Sequence, residues 1–361
     1  MRRYTTRSVS LVAVPLLLAA VAGVAAAAAP ATAAAARSGR PWLTSSFSTN
    51  GVLSSVAATS ARNAWAVGTS GDKTLIVRWN GNAWKRVPSP TPAGGGFLEG
   101  VAATSARNAW AVGQASRGGK TLILRWNGAS WKRVASPTPA AGGAFSSVAA
   151  ASGGSAWAVG TTLTGGTPAG LIERWNGSAW KLVSGPASEG LSGVTVTSRR
   201  NAWAVGFGAS DQTLILRWNG AKWKRVPSPK PASGVLLGVV ATSANRAWAV
   251  GGTGARPSTL ILRWNGSAWK QVSSPTPAGG AALDAVAAAS SRSAWAVSDT
   301  RVFTSLIERW NGSAWKLVRS PSPGGNAVLL GVAAFSARSA WAVGQTGSKT
   351  LILRWNGTAW K

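Results

Sequence analysis

The chain has no cysteine and no histidine, and its single tyrosine and single methionine, Tyr4 and Met1, lie in the first four residues. Disulfide scaffolds, iron–sulfur and haem proteins, thiol nucleophiles and every mechanism that turns on an imidazole are thereby excluded. Acid is scarce as well: eight Asp and Glu stand against 38 Lys and Arg, a formal net charge of +30 in 361 residues. What is plentiful is glycine, with 44 residues, and tryptophan, with 22.

Arg2, Arg3 and Arg7 precede an apolar run over residues 11–29, and small residues follow with A-x-A sites ending at Ala29 and Ala36. This is the pattern of a secretory signal peptide over residues 1–36, cleaved after Ala29 or Ala36. A membrane anchor competes with it, since about 19 apolar residues nearly span a bilayer. The alanine-rich composition, Pro15 and the small-residue site favour cleavage. Arg2-Arg3 hints at twin-arginine export, but the Y-T-T-R that follows matches weakly, so general secretion is the expectation. The product is then extracellular, with no stable membrane insertion, and loses three arginines and no acid, which lowers +30 to +27.

Residues 37–361 are dominated by a repeat. The Trp of A-W-A-V recurs at 65, 110, 157, 203, 248, 295 and 341, at intervals of 45 to 47 residues. Each copy continues with R-W-N-G and a further Trp five residues on. Within a copy, segments such as 101–104, 109–113, 121–126 and 131–134 are short, rich in β-branched and aromatic residues and punctuated by Gly, Asn, Ser and Pro. They read as four strands. Four strands in about 46 residues is the unit of a propeller blade, and punctuation this dense excludes helical repeats. The predicted fold is therefore all-β, a seven-bladed β-propeller with four antiparallel strands per blade. Connectors of the form Ser-Pro-x-Pro, as at Ser89-Pro90-Thr91-Pro92, should end the outer strand and run extended over the surface.

The copies also set the register of the outer hairpin. A four-residue turn places Trp79 opposite Trp84 and position 77 opposite 86. Across the copies that second pair reads Val77/Arg86, Leu124/Arg133, Glu173/Leu182, Leu216/Arg225, Leu262/Gln271 and Glu308/Leu317. Where the third strand turns acidic the fourth turns apolar, as expected of cross-strand neighbours. Closure should come from the N-terminus: Trp42 begins a segment like the outer strand, so residues 42–46 should pair with 351–355, with Trp42 and Trp360 competing for one position.

A-W-A-V-G followed by L-I-L-R-W-N-G-x-x-W-K resembles the tandem repeats of bacterial secreted β-propellers of the Asp-box type and of seven-bladed tandem-repeat lectins. The resemblance covers residues 42–361, but the Asp of an Asp box is Asn here, at 80, 127, 176, 219, 265, 311 and 356. The lectin resemblance implies sugar binding in aromatic-lined pockets between blades. No individual ligand contact is carried over by it.

The candidate ligand residues are thus the paired tryptophans, Trp79, Trp84, Trp126, Trp131, Trp175, Trp180, Trp218, Trp223, Trp264, Trp269, Trp310, Trp315, Trp355 and Trp360. The competing reading is packing between blades, where one Trp buries about 200 Å². Seven arginines, Arg78, Arg125, Arg174, Arg217, Arg263, Arg309 and Arg354, occupy one repeat position, and seven lysines from Lys85 to Lys361 another. They either pack their stems and bond to rim carbonyls or form rings that attract a polyanion. The export signal and the lack of a nucleic-acid motif point away from nucleic acid and toward carbohydrate or an anionic cell-surface polymer, with a protein partner as the alternative.

Catalysis is not expected. Glu173 and Glu308 share one repeat position three blades apart, Asp72 and Asp211 another, and Glu99 and Asp284 a third. This reads as dispersed carboxyls, unlike the paired acids of a glycosidase. No metal site and no cofactor is expected from them. Four N-G-S/T triplets match a glycosylation sequon but sit in the hairpin turn, whose chemistry accounts for them.

Overall fold

The computed structural model describes residues 47–361, apart from 116–118, 165–166, 187, 210–211, 230–232, 255–257 and 301. Seven antiparallel sheets follow one another, one per repeat. Blade one is Val52–Ser60, Asn63–Ser70, Lys73–Trp79 and Trp84–Arg86, hydrogen-bonded in chain order. Blade seven has three full strands, Ala327–Ser336, Ser339–Thr346 and Lys349–Trp355, plus a bridge from Trp355 to Trp360. The all-β seven-bladed propeller expected from the period is what forms. The fourth strands are short because valine and the proline connector follow at once. In blade one Val87 N–H still bonds to Ile76 O (2.9 Å), and the connector is tied back to the third strand by hydroxyls, Thr74 Oγ1 to Ser89 and Thr91 Oγ1 at 2.9 Å each.

The outer hairpin has the register the copies implied. Trp79 faces Trp84, Glu173 faces Leu182 and Glu308 faces Leu317. The turn is built by Asn80, whose Oδ1 accepts the N–H groups of Asn82 (3.0 Å) and Ala83 (2.9 Å), while Gly81 takes φ +100°, a conformation closed to most L-residues. All seven copies repeat it. In the sequon-like triplets the hydroxyl of the third residue donates to the same Asn oxygen, as Ser178 does to Asn176 at 2.9 Å.

Apolar residues of adjacent blades form one cluster per junction, seven in all. The cluster joining blades seven and one contains Leu53, Trp79, Trp84, Trp341 and Ile352. Both ends of the described chain meet the third strand of blade seven. At its start, Thr350 N–H donates to Thr49 O and Gly51 N–H to Ser348 O, both 2.9 Å, the role a connector plays elsewhere, as in Gly96 N–H to Asp72 O. At its end, Lys361 and Arg354 exchange two backbone hydrogen bonds of 2.8 and 3.0 Å. The position that Trp42 was expected to contest is held by Trp360, because the N-G-T-A turn delivers it directly opposite Trp355. The pairing of residues 42–46 lies outside the described residues.

Candidate functional site

Each junction holds three indoles. The A-W-A-V Trp of one blade packs on the Trp pair of the next: Trp65 lies 4.9 Å from Trp126 and 5.1 Å, edge-on, from Trp131. The pattern repeats around the ring to Trp341, which sits 5.0 Å from both Trp79 and Trp84. All fourteen paired tryptophans are buried, none more than 7% exposed, with Trp79 the most accessible. In six blades the third-strand indole N–H donates to the carbonyl of the turn between the first two strands, as Trp79 does to Ala61 (3.0 Å). The pockets expected for a sugar between blades are filled by the tryptophans themselves, so no indole face is left open to stack on a ring from solution. Packing consumes them because both broad faces of a blade are covered by its neighbours.

The seven strand arginines cap these trios. The Arg78 guanidinium lies 4.8 Å from the Trp65 ring centroid and 5.6 Å from that of Trp126, and the arrangement recurs at every junction. Its Nε and Nη2 donate to Asn63 Oδ1 at 3.1 and 3.0 Å, and Nη2 also reaches Ala106 O of the next blade at 3.2 Å. Arg125 and Arg217 make the same pair of contacts, Arg217 to Asn201 Oδ1 and Ala244 O. Cation–π stacking orients all seven, and these carbonyls also anchor Arg78, Arg125 and Arg217. Six are half-buried and Arg354 is exposed.

These contacts define a face. The turn joining the first two strands of a blade adjoins the N-G turn joining its last two, with Gly81 against Arg62. The connectors and the turns between second and third strands lie on the other side, as Gly143 N–H to Gly119 O shows (3.2 Å). On the first face seven more arginines stand at the turns between first and second strands: Arg62, Arg107, Arg199, Arg200, Arg246, Arg292 and Arg338, all exposed. None of the described carboxyl residues lies in a turn of this face. These arginines were not among the expected site residues, although S-x-R, as in Ser105-Ala106-Arg107, recurs in five of the seven copies. The lysines beside the fourth-strand Trp are exposed on the outer edge.

The carboxyls are less dispersed than the repeat arithmetic implied. A β-bulge in the first strands falls at Ser54, Glu99, Ser146, Ser192, Leu237 and Leu330, and turns these residues to the ring axis. With Asp284 they line an axial cavity of about 160 Å³. Glu99 and Asp284 share this space because first strands converge on the axis, where repeat-equivalent positions meet. Gly100 and Gly331 permit the approach: a Cβ on either would stand 3.0 Å or less from the neighbouring strand's Cα, of Ser147 and of Ser55. Burial pushes both carboxyls up to about 7, against hydrogen bonds from Ser54 to Glu99 and from Ser298 to Asp284 (2.8 Å) that act in the opposite direction. Glu173 and Glu308 are fully buried in the outer parts of their blades, and desolvation raises each to about 8. A wide, open groove of about 950 Å³ lies beside the connector of blade two, with Lys120 and Arg133 its only charged lining residues. Among the described residues, no three His, Cys, Asp or Glu lie close enough together to hold a metal ion.

No protein-family model matches the chain, and no curated protein matches it in sequence. Solved structures share its fold at low identity. A structure of YCF48 bound to D1 peptide is 15% identical, with a TM-score of 0.59 over 85% of this chain and 95% of that one. The GH74 xyloglucanase from Xanthomonas campestris is 15% identical, with a TM-score of 0.61 over 87% of this chain but 53% of the enzyme. Aleuria aurantia lectin in complex with Fucα1-6GlcNAc is 10% identical, with a TM-score of 0.51 over 76% of this chain and 98% of the lectin. The propeller fold is thus shared with proteins whose structures hold a peptide or a sugar and with a xyloglucanase, the lectin having six blades rather than seven.

Proposed function

We propose that the protein is an exported, non-enzymatic binding module for a carbohydrate or another cell-surface polymer, and that it binds with a face of the ring. One observation carries the reading: every paired tryptophan is consumed in blade packing, while exposed arginines stand at the turns of six of the seven blades on one face. The leader supports export, and the repeats resemble those of bacterial secreted propellers. The axial cavity that brings Glu99 and Asp284 together, at about 160 Å³, is below the ~300 Å³ at which small-molecule pockets begin, so these two carboxyls have no room for a glycan between them. A protein partner on the same face is the competing reading, favoured by the propeller of this fold whose structure holds a bound peptide.

A glycan array probed with the full exported chain at low and high salt tests the proposal. Retention of one glycan class without change to the glycan is the expected result. Silence at both salts would favour the protein partner, and turnover of any glycan, lost in Glu99→Gln or Asp284→Asn, would replace the binding reading with an enzymatic one.

A further inference from the structure

Resting on that reading, we propose that the polymer is a linear anionic glycan, a sugar chain carrying repeated sulfate, phosphate or carboxylate groups, held across the turn face by two sets of arginine. The outer set is the strand arginines, whose guanidinium groups already stack on indoles. Arg78 spends its Nε and Nη2 hydrogens on Asn63 and Ala106, which leaves the two Nη1 hydrogens for a ligand. Little side-chain freedom remains to be lost on binding, which strengthens each contact. The inner set is the exposed turn arginines, nearer the axis because first and second strands are innermost.

The sign of this face is uncompensated. Asp72 and Asp299 sit at the opposite ends of their second strands, Glu189 precedes a first strand, and Glu99 and Asp284 line the axis. Glu173 and Glu308 are buried, and Asp211 lies by sequence between the second and third strands of blade four. Fourteen guanidiniums therefore face solvent or its edge with no carboxylate among them. A guanidinium matches the planar or tetrahedral oxyanions of such a glycan through paired N–H donors.

The chemistry of the rest of the face selects among polyanions. Single-stranded nucleic acid is held by exposed aromatic platforms as well as charge, and the indoles of the described residues are buried. A lipid surface rewards inserted apolar side chains, and among the described residues Phe335 is the one large apolar residue exposed near these turns. A polar chain with charge along its length needs neither. Seven similar blades also offer such a chain repeated contacts, so individually weak pairs sum to useful avidity.

The test is retention of the full exported chain on immobilised dextran sulfate, alginate, neutral dextran, oligodeoxythymidylate and phosphatidylglycerol vesicles. Wild type should be retained by dextran sulfate and alginate above the other three. The variant Arg62→Gln/Arg107→Gln/Arg292→Gln/Arg338→Gln should lose at least about tenfold in affinity for dextran sulfate, with its melting temperature unchanged. The control Lys73→Gln/Lys120→Gln/Lys349→Gln, on the other face, should lose much less. Equal loss in the control, or stronger retention by oligodeoxythymidylate or vesicles, would overturn the proposal. Binding to neutral dextran or a neutral array glycan with no salt response would overturn it while leaving the polymer-binding reading intact. Absence of binding to every polymer would remove both.

Discussion

Glu173 and Glu308 occupy a position that is leucine in four other blades, and both are fully buried at junctions between blades. Their cross-strand neighbours, Leu182 and Leu317, replace the arginine or glutamine found elsewhere and leave the carboxyls without a cation opposite. Burial therefore keeps them protonated, with values of about 8 against an ordinary 4.5. The folded state binds these protons more tightly than the unfolded chain, so stability falls as pH rises from about 4.5 to about 8 and levels off above that. Glu99, Asp284 and Asp299 act in the same direction. Urea unfolding across this range should show the decline, and Glu173→Leu/Glu308→Leu should make it shallower and raise stability at pH 8. A variant as pH-sensitive as wild type would contradict the assignment. At the hairpin turn, Asn219→Ala removes one acceptor of two backbone N–H groups, which calls for a loss of about 1 kcal/mol in the same assay.

At the scale of the element, the blade and its hairpin register were legible in the chain, while the state of the tryptophans was not. Period and cross-strand swaps are properties of one repeat, so the sequence alone sets Glu173 opposite Leu182. Exposure of Trp79 or Trp126 depends on the neighbouring blade, and three indoles meeting at each junction leave no open face. The axial pairing of Glu99 and Asp284 escaped for a related reason: equivalent positions are far apart on outer strands but converge on inner ones. The junction trios also carry a stability prediction. Trp203→Ala should cost about 3–5 kcal/mol, measured by denaturant unfolding, through lost packing against Trp264 and Trp269. Trp360→Ala should cost a comparable amount, because Trp360 completes the trio with Trp295 and Trp355 and is 1% exposed. A negligible effect at 360 would mean that another residue completes blade seven.

At the scale of the whole molecule, the charge excess acquires a location. Composition alone made it a global +30, and repeat counting made it a set of copied positions. The fold sorts those positions, placing two sets of arginines on one side of the ring and the described acids on the axis, in the blade interiors or toward the other side. Most of this was hidden in the sequence because the side on which a turn emerges is decided by strand order. The most direct measurement is the affinity of the full exported chain for dextran sulfate as a function of salt. Binding through the arginine face predicts a linear fall of log affinity with log salt, at least about tenfold between about 50 and 200 mM, as bound counterions are released. An affinity that stays flat across that range would contradict the account.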